Sequence, residues 1–91
     1  MAKSLAATRQ KQRKRKLVVG LLREARLKAG LRQVDLAKAL GQPQSFISKY
    51  ESGERRLDLT ELDEVCRAVG IRLGAFVRRF EEAVRSRTTL K

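Results

Sequence analysis

Four glycines divide most of the chain into short segments, and each segment ahead of a glycine carries apolar residues at helical spacing. Gly30, Gly41, Gly53 and Gly70 are the dividing residues. Glycine commonly follows the last residue of a helix because it adopts the left-handed backbone conformation at little cost. Apolar residues recur every three or four positions between them, and no stretch shows the alternation of a strand. The pattern predicts an all-α fold of short helices.

We predict five helices, at residues 17–29, at about 33–40, from 43 or 44 to 52, from the capping sequence Asp58–Glu61 to Gly70, and at about 73–85. A chain of 91 residues forms one small domain, which we place at residues 17–86, with a tail at 87–91. The expected inward residues are Val18, Leu21, Leu22, Ala25, Ala29, Val34, Leu36, Ala37, Leu40, Ile47, Tyr50, Leu59, Leu62, Val65, Cys66, Val69, Leu73, Phe76 and Val77.

The charge of the chain is strongly basic and unevenly distributed. Lysine and arginine outnumber the acids by 22 to 10, which favours a polyanionic partner, nucleic acid ahead of an anionic membrane surface. Residues 1–16 hold seven basic residues and no acid. We interpret them as an arm for the DNA backbone, helical or ordered on binding, with a solubilising tail as the alternative. The arm residues proposed for contact are Arg9, Lys11, Arg13, Lys14, Arg15 and Lys16.

Several classes of protein are disfavoured by what the sequence lacks. It has no histidine, one cysteine and no glycine-rich phosphate loop, so we expect no enzyme, metal site, cofactor or small-molecule ligand. The longest apolar run, LVVGLL, is far shorter than the roughly 20 residues of a membrane-spanning helix. The lone Cys66 cannot form an internal disulfide, which indicates a reducing cytoplasm, and its position favours a buried small apolar residue.

The second and third predicted helices have the lengths and the short connection of a helix-turn-helix. The connection is Gly41–Pro43, where glycine suits the tight turn, and Ala37 is small enough for a closely crossing helix. On the third helix, a polar face of Gln44, Ser45, Ser48 and Lys49 lies opposite the apolar residues. Phe46 borders both faces, so either burial or contact with a thymine methyl group is open to it.

Three segments resemble the Cro and lambdoid-repressor type of helix-turn-helix regulators, the XRE family. They are LREARLKAGLRQVDLAKALG, PQSFISKYESGERRLD and RAVGI, and the resemblance covers about residues 21–80. It implies a compact five-helix domain whose third helix enters the DNA major groove. Gln44 matches the first base-reading residue of the family, and glutamine can bond adenine at two atoms. Ser45, Ser48 and Lys49 follow on the same face.

The resemblance also assigns roles outside the third helix. Gln33 stands where the family binds phosphate and supports the first reading residue, and Arg55 and Arg56 stand where it contacts the DNA backbone. Arg26 and Glu51 match a pair that bridges the first and third helices in relatives. Arg32 departs from the usual Ser or Thr cap, and we interpret it as a further backbone contact.

The resulting hypothesis is a sequence-specific DNA-binding regulator, a repressor in the simplest case, working as a homodimer in the cytoplasm at a bacterial or phage nucleoid. One helix reads too few base pairs for an operator, and relatives pair two. The apolar stripe of the fifth helix continues to Phe80 and Val84, which we assign to the dimer interface. A restriction-modification controller, an antitoxin, or an adaptor like the multiprotein bridging coactivators remains open. Non-specific binding of RNA or DNA through the arm alone is disfavoured, because proteins of that kind stack bases on aromatic side chains and this chain has only four aromatic residues.

Overall fold

The computed structural model describes residues 5–89, with side chains from residue 8 to residue 86. Its elements are five α-helices, and the described residues contain no strand. The helices are α1 (Leu5–Lys28), α2 (Gln33–Leu40), α3 (Gln44–Glu51), α4 (Leu59–Ala68) and α5 (Leu73–Thr89). The predicted all-α, five-helix architecture is confirmed.

Two helix boundaries follow the local sequence signals closely. Gly41 ends α2 with a left-handed φ of 65°, and its N–H donates to the carbonyl oxygen of Lys38 at 3.1 Å. At the start of α4, the Asp58 carboxylate accepts from the Glu61 N–H at 2.8 Å, and the Glu61 carboxylate accepts from the Asp58 N–H at 3.0 Å. These reciprocal bonds form the expected capping box.

Helices α1 and α5 are longer than predicted. The first begins at Leu5 rather than at residue 17, so the described part of the basic arm is helical and continuous with the domain. Residues 5–16 contain no glycine or proline and are rich in alanine, lysine, arginine and glutamine, which have high helix propensity without any apolar stripe. At the other end, α5 continues to Thr89, and residues 87–89 of the expected tail are its last residues.

All five helices contribute side chains to one core. Its most deeply buried side chains are Leu22, Leu36, Ile47, Tyr50, Val65 and Cys66. Burial raises the pKa of the Cys66 thiol to about 11. This matches its interpretation as a small apolar core residue.

Four residues predicted to face inward are exposed. Val34 and Leu59 lie in the first turns of α2 and α4, where the helix ends project from the core, and they are 36% and 68% exposed. Val77 is 39% exposed because its neighbour Phe76 takes the inward position on that turn of α5. Ala29, which follows the last residue of α1, is also exposed. Predicting these four as core residues was wrong.

Candidate nucleic-acid interface

Helix α3 presents one apolar and one polar face. Phe46, Ile47 and Tyr50 are buried, and this side anchors the helix to the core. The opposite side carries the exposed Gln44, Ser45 and Lys49 and the half-buried Ser48. The Ser48 hydroxyl donates to the Ser45 carbonyl oxygen at 3.3 Å. The four residues expected to read bases therefore share one outward face.

A buried ion pair joins α1 to α3. The Arg26 Nε donates to Glu51 Oε2 at 2.7 Å and Nη2 donates to Oε1 at 3.0 Å, with the two side chains 7% and 4% exposed. The remaining Arg26 Nη1 donates to the Leu31 carbonyl oxygen at 2.8 Å, in the turn before α2. These bonds raise the pKa of Arg26, chiefly through the hydrogen bond to Glu51. The pair holds the first three helices in a fixed arrangement.

The same carboxylate is connected to the reading face by two glutamines. Gln33 Nε2 donates to Glu51 Oε1 at 3.1 Å, and Gln44 Nε2 donates to Gln33 Oε1 at 3.3 Å. The contact between Gln33 and Gln44 agrees with the supporting role that the resemblance implies. The contact between Gln33 and Glu51 was not predicted, because it spans 18 residues and depends on side-chain conformation.

Arg55, in the loop after α3, is held by an ion pair, by a ring contact and by a hydrogen bond from its Nη1 to the Arg56 carbonyl oxygen at 3.1 Å. Its Nη2 lies 2.8 Å from Glu61 Oε2, and its Cζ lies 4.7 Å from the centroid of the Phe46 ring. The Phe46 ring also meets Tyr50 edge to face, with centroids 5.7 Å apart. Phe46 thus takes the buried position, one of the two roles left open for it. Arg55 keeps 40% of its side chain exposed beside the exposed Arg56.

Arg32 occupies the N-cap of α2 without a capping oxygen of its own. Asp35 compensates, since its Oδ2 accepts from the Arg32 backbone N–H at 2.8 Å. The guanidinium bonds the same carboxylate, with Nη2 2.9 Å from Oδ1, and this lowers the pKa of Asp35 to about 2. The spacing of Arg32 and Asp35 was a visible signal for this contact. The Arg32 side chain is still 77% exposed.

The basic arm and the loop after α3 border one cleft of about 800 Å³. Lys11, Arg15 and Lys16 line it from α1, and Arg55 and Arg56 line it from the loop. Arg9, Arg13 and Lys14 lie on exposed parts of the same helix. Two sets of cations that are distant in sequence therefore face a common space.

Comparisons with known proteins agree with this geometry. A helix-turn-helix family profile matches residues 22–76, which span α2, α3 and α4 with parts of α1 and α5. An XRE-family like protein from Pseudomonas syringae pv. tomato is 40% identical over 88% of this chain and 98% of its own, with a TM-score of 0.83. The chain belongs to the XRE family of helix-turn-helix proteins. As an XRE-family protein it is a DNA-binding transcriptional regulator.

More distant XRE-type structures share its fold. The restriction-modification controller protein C.Esp1396I, solved as a tetramer with its operator, is 21% identical over 78% of this chain and 93% of its own, with a TM-score of 0.71. The clp gene regulator ClgR from Corynebacterium glutamicum is 21% identical over 82% of this chain and 80% of its own, with a TM-score of 0.72. No curated protein matched the sequence. Among the described residues, no helix is both long and apolar enough to cross a membrane.

Proposed function

We propose that the protein regulates transcription by reading a specific operator in the major groove with α3, as a homodimer, and that it represses. The carrying observation is the division of α3, whose apolar side is locked into the core while four polar side chains project outward together. Such a face suits direct bonding to base edges, because its backbone is held rigidly by the rest of the domain. Its expected location is the cytoplasm, in association with the nucleoid, for a protein of bacterial or phage origin.

Contacts to the DNA backbone surround this face in the proposal. Arg32 and Gln33 lie at the N-terminus of α2, where the positive end of the helix dipole favours a phosphate. Arg55 and Arg56 extend the contact on the other side. Arg55 and Arg56 share a cleft with the basic arm, which supports a path in which one DNA strand contacts both the loop and the arm.

Two arguments support the homodimer: one recognition helix reads few base pairs, and α5 carries an apolar stripe on its surface. A single recognition helix contacts only a few base pairs, and paired helices in such proteins read half-sites about 34 Å apart. Along α5, Phe80 and Val84 are half-buried and Val77 is 39% exposed, so an apolar stripe continues on the surface. Exposed charged residues, Glu81 and Arg78 among them, flank the stripe and suit the polar rim of an interface.

Selection of bound sites from random DNA duplexes tests the proposal. We expect a winning sequence made of two related half-sites in inverted order. With that duplex, Gln44→Ala should weaken binding by about 1–3 kcal/mol and relax the preference at one base pair per half-site.

Arg56→Ala is the matched control, because Arg56 is exposed and outside the ion pairs of the described residues. It should weaken binding to the selected duplex and to random DNA about equally, since a phosphate contact carries no sequence information. A Gln44→Ala protein that retained the full preference of the wild type would show that the reading face is assigned wrongly.

A further inference from the structure

The guanidinium group of Arg55 is only partly used by its contacts within the domain. Its Nη1 donates to Glu61 Oε1 and to the Arg56 carbonyl oxygen, both at 3.1 Å, and its Nη2 donates to Glu61 Oε2 at 2.8 Å. A guanidinium can bind an anion along either of two edges, one formed by Nη1 with Nη2 and the other by Nε with Nη2. Glu61 occupies the first edge. The second edge makes no hydrogen bond to the residues that the structure describes.

The plane of this guanidinium group is fixed from two helices. Its Cζ lies 4.7 Å from the centroid of the Phe46 ring, so an aromatic side chain of α3 covers one face. Glu61 is itself held, because its Oε1 accepts the Asp58 backbone N–H in the capping box of α4. The hydrogen bond from Arg55 lowers the pKa of Glu61, so the carboxylate is charged at neutral pH. Arg55 is therefore tied to both α3 and α4.

The free edge of Arg55 has the chemistry of a phosphate-binding group. Its two N–H groups, on Nε and Nη2, lie side by side and can bind two oxygens of one phosphate. The side chain is 40% exposed, next to the exposed Arg56. Contacts to phosphates place a protein along the duplex, and contacts to bases supply the sequence information. Because Phe46 belongs to α3, a phosphate bound at this edge fixes the position of the reading helix along the groove.

We propose that Glu61, by holding Arg55 with one edge free, increases the preference of the protein for its operator over random DNA. The inference rests on the proposed function, in which α3 reads bases and Arg55 contacts the backbone. A mobile arginine neutralises a phosphate in DNA of any sequence, since that attraction depends on charge and little on geometry. A fixed arginine binds best when the phosphate lies where the correct position of α3 places it. Glu61 acts through Arg55 and is a positioning residue.

The decisive variant is Glu61→Gln. Glutamine suits the same position of a capping box, so α4 keeps its start, but its amide has no charge and a single acceptor oxygen, so it cannot bind both nitrogens of Arg55. Asp63→Asn is the matched control, because it removes the same charge from an ion pair on the same helix, in which Arg67 Nε lies 3.1 Å from Asp63 Oδ2. Both pairs are partly exposed, so both variants stay folded.

The measured quantity is the ratio of the affinity for the selected operator to the affinity for a random duplex, at one salt concentration. We expect Glu61→Gln to lower this ratio by about threefold to tenfold for each half-site, the effect of having to immobilise one long side chain on binding. Asp63→Asn should retain the ratio of the wild type, because a lost surface charge changes both affinities alike.

Two lysine variants test whether Glu61 acts through the edge of Arg55. Arg55→Lys keeps the charge but has no edge of paired donors, so it should lower the ratio about as much as Glu61→Gln does. Combining the two substitutions should lower the ratio no further, because both remove the same contact. Arg56→Lys should leave the ratio unchanged, since the Arg56 side chain is in no ion pair of the described residues.

A second measurement uses the free protein. NMR relaxation of the ¹⁵N-labelled Arg55 Nε should report a rigid side chain in the wild type and in Asp63→Asn, and a mobile one in Glu61→Gln. An equally rigid Arg55 in Glu61→Gln would overturn the inference and leave the proposed function standing. So would a gain in affinity for both duplexes by the same factor, which would show that Glu61 only competes with phosphate. A wild type that prefers no duplex would overturn the proposed function and this inference together.

Discussion

The buried hydroxyl group of Tyr50 allows a test of what an unpaired polar group costs in the core. Its side chain is 1% exposed, and its hydroxyl oxygen is buried without a hydrogen-bond partner among the residues that the structure describes. A buried polar group without a partner costs about 1–3 kcal/mol, because it loses its bonds to water and gains none. The Tyr50→Phe substitution removes that group and keeps the ring.

The expected gain in stability is the cost of the unpaired hydroxyl minus the cost of the space that its removal leaves. Removing one oxygen leaves a space of roughly 10 Å³, which at ~24 cal/mol per Å³ costs about 0.2 kcal/mol. We therefore expect Tyr50→Phe to raise the free energy of unfolding by about 1–2.5 kcal/mol, and the melting temperature by about 4–8 °C per kcal/mol in a domain of this size. Thermal and urea unfolding followed by circular dichroism at 222 nm measure both quantities.

The control is Tyr50→Leu, which also removes the edge-to-face contact with Phe46 and should lower stability. A Tyr50→Phe protein that is less stable than the wild type by about 1 kcal/mol would refute the reasoning, since that is the size of loss expected when a hydroxyl gives up a real bond.

The same residue predicts a pH dependence. Burial raises the pKa of Tyr50 above its ordinary value of about 10. Above that pH the unfolded chain releases the phenol proton while the folded chain keeps it, so the free energy of unfolding falls as pH rises, by at most about 1.4 kcal/mol per pH unit. The stabilising effect of Tyr50→Phe should therefore be larger at pH 10.5 than at pH 8. An effect of equal size at both values would contradict the inferred burial of the hydroxyl.

Two further predictions concern DNA and assembly. Replacing Lys11, Arg13, Lys14 and Arg15 with glutamine should keep α1 helical and flatten the log–log salt dependence of DNA binding by about 0.9 for each phosphate that the arm no longer neutralises, whereas Arg67→Gln on α4 should leave it unchanged. An unaltered slope would favour a solubilising role for the arm. Phe80→Asp should give a folded monomer, by circular dichroism and light scattering, that binds its operator poorly. Unfolding would place Phe80 in the core, and a persistent dimer would place the interface elsewhere.

The parts of the fold that the sequence predicted well depend on local signals. Gly41 ends α2 because the left-handed backbone is available there, and Asp58 with Glu61 starts α4 through bonds three residues apart. The start of α1 gave no such signal. Leu17 is the first residue at which apolar spacing appears, but the polar residues before it favour a helix by propensity alone.

The interface was predictable as a set of positions but not as a set of bonds. The spacing of Gln44, Ser45 and Ser48 indicated a common face, and periodicity alone is enough for that. The bond from Gln33 to Glu51 depends on how α2 and α3 cross and on the rotamers of both side chains. The ion pair of Arg55 with Glu61 likewise joins a loop to the following helix, and local sequence patterns do not encode it.

The two-faced construction of α3 has a consequence for how such a protein acquires new targets. Three residues of the polar face form no side-chain to side-chain hydrogen bond or ion pair within the described part of the domain: Ser45, Ser48 and Lys49. They can therefore be varied in a retargeting library without disturbing the core. Position 44 is different, because its amide is tied to Gln33. A library that randomises position 44 alone should recover few new specificities, while one that randomises positions 33 and 44 together should recover many.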